Sequence, residues 1–149
     1  MSPITETERL EALSQIAAAN REMADRAKAP GWYHWTLGLL IGGIVAVQEA
    51  PGLWMLAYYP VFIAGLVFLM RAYKRHTGMW IPGYRAGRTR WVAVGGAVVF
   101  AGLMLAAVWL RREMQVQGAC LAAGAIAALL VTAQGYLWEK AYRRDLGVA

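Results

Sequence analysis

The sequence predicts an all-α integral membrane protein: a four-helix bundle of four transmembrane spans, N-in/C-in, preceded by a cytoplasmic amphipathic helix. Three observations carry this. Four apolar stretches contain no Asp, Glu, Lys or Arg; the basic residues fall almost wholly on one side of those stretches; and the first thirty residues show a helical rather than an apolar pattern. With 59% hydrophobic residues in 149, the chain is more apolar than an ordinary soluble domain.

The uncharged stretches run over 32–48, 53–70, 91–110 and 118–138. Each approaches the ~20 residues that a helix needs to cross a hydrocarbon core. Residues 30–149 are therefore read as the transmembrane domain and 1–29 as a separate cytoplasmic helix. The first thirty residues lack an apolar signal region, so the first span is expected to direct insertion.

Orientation follows from charge. Four spans place both ends of the chain and the 71–90 loop on one side, together with thirteen of the fifteen Lys and Arg residues; only Arg111 and Arg112 lie on the other. Positive residues flanking spans are retained inside, so the loop and both ends are expected to be cytoplasmic, in a bacterial inner membrane. Most Trp and Tyr residues cluster at the same interface, and Trp54 and Trp109 mark the outer one. Two short outer turns leave little for an external-ligand receptor to use.

Before the first span, Thr5 and Glu8 have capping-box spacing. Leu10, Leu13, Ile16, Ala17, Asn20, Met23, Ala24 and Ala27 then recur every three or four residues, which predicts a helix over about 6–27 ended by Ala29-Pro30-Gly31. Through Lys28 this segment carries five acids and four bases. A helix built to lie on anionic lipid should be basic, so the expected contact is protein: a second copy, a partner, or the chain's own basic loop.

Within the spans, Gly38 and Gly42, Gly124 with Ala128, and Ala97 with Ala101 repeat at four-residue spacing. Such faces let helix backbones approach closely in lipid. Pro60 interrupts the second span, and Tyr58 and Tyr59 beside it make that kink a candidate ligand cavity. Between spans two and three lies KRHTGMWIPGYRAGRTRW, residues 74–91, with no acidic residue. Arg75, Arg85, Arg88 and Arg90 are candidates for anionic lipid or partner contact, with Trp80 anchoring the loop at headgroup depth.

Few chemistries can be assembled. Proton-coupled export by a small four-span transporter needs an ionisable group inside the membrane, and the spans contain no carboxylate or amine. His34 and His76 lack a companion Cys or carboxylate cluster, so no metal or cofactor is expected. The single Cys120 forms no intrachain disulfide. No nucleophile–base set, paired catalytic carboxylates or nucleic-acid motif is present. The expectation is a non-enzymatic inner-membrane protein of assembly or accessory type, as a homo-oligomer or with a protein partner and with anionic lipid at its inner face. The alternative is a small transporter or a binder of lipid or a hydrophobic ligand, at the span-two kink.

Overall fold

In the computed structural model the described residues are 5–78 and 88–148, and they form five α-helices with no strand. These are α1 (Glu6–Arg26), α2 (Gly31–Ala46), α3 (Gly52–Thr77), α4 (Arg88–Arg112) and α5 (Ala119–Asp145), with a short 3-10 turn at Val47–Glu49. Trp80 and Arg85 of the basic loop lie outside the described residues, and so does the Arg88 side chain.

Three helices are long and apolar enough to cross a membrane: Gly52–Thr77, Thr89–Arg112 and Ala119–Asp145, with mean hydropathies of 2.0, 2.2 and 1.7. Leu39, Leu53, Trp54, Ile63, Phe68, Leu105, Leu129 and Leu137 are all more than half exposed. A water-soluble domain of this size would bury such side chains, whereas hydrocarbon accommodates them. The chain is thus a helical membrane protein.

Local chemistry sets the helix ends. Thr5 caps α1 in a full capping box: Thr5 N–H donates to Glu8 Oε2 at 2.8 Å, and Glu8 N–H donates to Thr5 Oγ1. Pro30 and Pro51 precede the first turns of α2 and α3, where a residue with fixed φ and no N–H costs nothing. α3 continues through Pro60 and past the predicted span to Thr77. It stops there because Gly78 turns left-handed at φ 69° and its N–H closes onto Lys74 O.

The principal packing among the described residues is serial: α3 against α2, α2 against α5, α5 against α4. In a closed bundle each helix has two neighbours, whereas here α3 and α4 each have one main neighbour. Burial follows this order. Only 6% of the apolar window in α3 or α4 is buried, against 28% in α5.

The α2–α5 seam is made of small residues. Gly38 sits over Ala128 and Thr132, Gly42 over Gly124 and Ala128, and Gly124 over Gly42 and Ala46. A methyl group at Gly42 would run into Gly124 O, and one at Gly124 would lie 2.7 Å from Gly42 O. Backbone oxygens cannot move aside, so glycine is required at both. Ala97 and Ala101 of α4 are exposed instead; α4 meets α5 through Gly96, Phe100, Leu103, Met104 and Ala107. The central core is Val45, Ala107, Cys120, Ala123 and Ala127.

Glu49 closes the end of this seam where α5 begins. Its carboxylate accepts N–H bonds from Gly118 (3.1 Å) and Cys120 (3.2 Å), so a side chain after α2 caps the N-terminus of α5. Arg111 Nε lies 2.7 Å from Glu49 Oε1 as an ion pair, off the line of a hydrogen bond.

Filling the seam should separate helices that the rest of the sequence brings together. Gly42→Val is expected to lower stability by about 1–3 kcal/mol through overpacking. Gly102→Ala, where a methyl group meets nothing within 4 Å, should leave stability unchanged. Thermal unfolding in detergent checks both, and equal melting temperatures for the two variants would contradict the seam.

Candidate functional site

Where the start of α2 meets the end of α5, a buried histidine and a half-buried carboxylate form a pair that crosses between the two helices. His34 comes from the first turn of α2 and Glu139 from late in α5, and they meet with Nε2 3.0 Å from Glu139 Oε1. The same Oε1 accepts the N–H of Ala29 at 2.9 Å. One carboxylate oxygen therefore holds both the start of α2 and the segment joining α1 to α2. A carboxylate offers only acceptors, so His34 presents N–H at Nε2. His34 Nδ1 is buried without a hydrogen-bond partner and packs against Gly135. A Cβ at position 135 would overlap that ring nitrogen, so glycine there makes room for the imidazole.

Aromatic side chains surround the pair. Tyr33 and Tyr73 lie with ring centroids 5.4 Å apart, the His34 and Tyr136 rings 4.7 Å apart, and Trp138 stacks on Tyr142 at 5.4 Å and 6°. Tyr73 also donates its hydroxyl to Ala27 O at 3.0 Å, which ties α3 to the end of α1. On the far side Gln134 donates to Val92 O at 3.1 Å and links α5 to α4.

Tyr33, His34, Tyr73, Gln134, Trp138 and Glu139 line an open cavity of about 300 Å³, at the lower end of the range of small-molecule pockets. Its floor is apolar, with Leu37, Ala93 and Val131; Tyr33, Tyr73 and Trp138 form aromatic walls, and Glu139 supplies the only formal charge among the described lining residues. No group of three or more His, Cys, Asp or Glu suited to a metal occurs among the described residues. Cys120, the one thiol, is fully buried in the core between α2, α4 and α5. The described lining residues include no Ser, Thr, Cys or Lys.

The residues singled out in the sequence fall elsewhere. Tyr58 donates to Leu40 O at 2.9 Å and fills the space left by Gly43, so its hydroxyl is spent on joining α3 to α2. Tyr59 and Pro60 are exposed on the same helix. Arg75 and Arg90 are exposed near the two ends of the basic loop. Gly38, Gly42 and Gly124 lie in the α2–α5 seam, and His76 is exposed at the end of α3, whereas His34 is buried. Glu139 is the residue that sequence reasoning missed. It stands one position beyond the predicted fourth span, and its partner is 105 residues away, so no local pattern joins them.

No family model matches the chain, and no curated protein or solved structure is similar to it. What the fold and cavity define is a class, a helical membrane protein with a small aromatic cavity near one end of its spans.

Glu139→Leu leaves the Ala29 N–H and the His34 ring without an acceptor and is expected to cost about 1–3 kcal/mol. Glu139→Gln keeps an amide oxygen for both donors and should melt near the wild-type temperature. If the two variants melt alike in detergent, the shared oxygen is not what holds the α1–α2 segment.

Proposed function

We propose that the chain is a four-span protein of a bacterial inner membrane, with both ends inside, that works by assembly or accessory contact rather than catalysis. The fourth span in this reading is α2. Its sixteen helical residues and the following 3-10 turn extend about 30 Å, the thickness of a hydrocarbon core. Its contacts with α5, from His34–Glu139 to Glu49–Gly118, keep it beside a helix long enough to cross. The charge asymmetry supports the orientation. Alkaline phosphatase fused after Gln115 is then expected to be active and a fusion after Gly147 inactive; the opposite pattern would reverse the topology.

The accessory reading is carried by the uncovered apolar stripe of α1. The lower part of that stripe is docked: Ala24 and Ala27 are 2% and 3% exposed, Asn20 donates to Leu146 O, and Asp25 pairs with Arg143 at 3.0 Å. The upper part continues along the same helix past the end of α5, where Leu10, Leu13 and Ile16 are 59%, 55% and 58% exposed. Spacing of three and four suits a helix-on-helix contact, with a second copy of α1 or a helix of a partner protein. Arg75, Arg85, Arg88, Arg90 and Trp80 would face anionic headgroups or an acidic partner on the same side. Replacing Leu10, Leu13 and Ile16 by Ser should abolish self-association in light scattering of the detergent-solubilised protein and in a two-hybrid assay, with the melting temperature unchanged. Self-association retained by the triple variant would end the homo-oligomer form of this reading.

A further inference from the structure

We infer that the cavity beside Glu139 is a binding site for an amphiphilic organic cation, an alkyl- or arylammonium whose charged head meets the aromatic rings and the carboxylate. This goes beyond the accessory reading and does not depend on it, because none of the α1 stripe residues Leu10, Leu13 and Ile16 lines the cavity.

The charge pattern selects the ligand. The chain carries a net charge of +6, yet among the described residues the lining contains one carboxylate and no Lys or Arg. An anion would find no partner there. A neutral apolar molecule would gain nothing from the Glu139 carboxylate, whose Oε1 already accepts from Ala29 N–H and His34 Nε2. Tyr33, Tyr73 and Trp138 present aromatic rings, whose negative faces attract a cation within about 6 Å of the centroid, most strongly where water is excluded. A quaternary or tertiary ammonium loses little hydration on entering such a site, unlike a primary ammonium.

The shape selects the rest of the molecule. Val131 and Gln134 line both this cavity and a second space of about 220 Å³ between α4 and α5, walled by residues such as Gly96, Phe100 and Leu103. That space is apolar apart from Gln134. A cationic head at Glu139 would thus direct an aliphatic or aromatic tail past Val131 and the Gln134 amide, which packs over Gly96, into the apolar space between α4 and α5.

Lys28 and Arg143 approach Glu139 from the opposite side, across a neighbouring cavity of about 190 Å³ that Glu139 also lines. Arg143 is engaged with Asp25 at 3.0 Å. Besides His34, which already meets Glu139 Oε1 at 3.0 Å, the Lys28 ammonium competes for this carboxylate across that cavity, and its removal should strengthen the site.

The test is calorimetric titration of the full-length protein in a maltoside detergent. Benzyltrimethylammonium is the probe, its uncharged carbon isostere neopentylbenzene the control, and decyltrimethylammonium the tailed form. The expected result is saturable 1:1 binding of both cations, tighter for the tailed one, with the neutral isostere at least about tenfold weaker. Glu139→Gln, which retains the acceptor for Ala29, should weaken cation binding by about tenfold or more, and Lys28→Gln should tighten it by a few-fold. Equal affinity for cation and isostere, or cation binding unaltered in a folded Glu139→Gln protein, would overturn the proposal. If Glu139→Gln fails to fold, Lys28→Gln decides, and an unchanged or weaker affinity in that variant would overturn it. Loss of self-association in the α1 triple variant with cation binding intact would separate the two readings.

Discussion

Close contact between two glycine-bearing helix faces is the constraint on which the rest of the structure depends. Lipid provides no hydrophobic drive to bring helices together, so association rests on packing and on polar contacts between helices. α2 and α5 satisfy both. Gly38, Gly42 and Gly124 bring the backbones together, and a charged group locks each end, with Glu49 on the amides of Gly118 and Cys120 and Glu139 on His34. α3 and α4 are then added to the two flanks with hydrogen bonds that reach a backbone oxygen, Tyr58 to Leu40 and Gln134 to Val92, and α4 also donates Thr89 N–H to Asp145.

That serial order explains where the cavity lies. The glycines let α2 and α5 approach along the middle of the seam. Where α2 begins and α5 nears its end the residues become large: Tyr33 and His34 on α2, Tyr136, Trp138 and Glu139 on α5. Bulky rings cannot close as tightly as glycines, and the helices on either flank contribute Tyr73 and Ala93 to the walls. The space left over is consequently aromatic, with the carboxylate that clamps the seam built into its wall.

The same cavity bears on α1. Ala27 and Ala29 line it, and both are held through backbone atoms, Ala27 O by Tyr73 and Ala29 N–H by Glu139. These bonds, with Asn20 to Leu146 O and Asp25 to Arg143, set the direction in which α1 leaves the spanning helices. Its upper apolar stripe extends past the last turn of α5, so the angle of α1 depends on groups that also line the cavity.

Local sequence by itself determined the all-α class, the helix starts and stops, and the uneven distribution of charge. Thr5 and Glu8 cap α1, prolines open α2 and α3, Gly78 ends α3, and uncharged runs mark the apolar helices, because capping, φ restriction and hydropathy act over a few residues. The four-residue repeats of Gly38 and Gly42 were equally legible, but their partner was not: Ala97 and Ala101 show the same repeat and are exposed. Only the tertiary structure decided that Gly124 meets Gly42, that Tyr58 serves helix packing, and that His34 and Glu139 share an edge of one cavity. Those pairings span 18 to 105 residues. They arise from the register in which antiparallel helices pack, a property of the two surfaces together that neither segment carries alone.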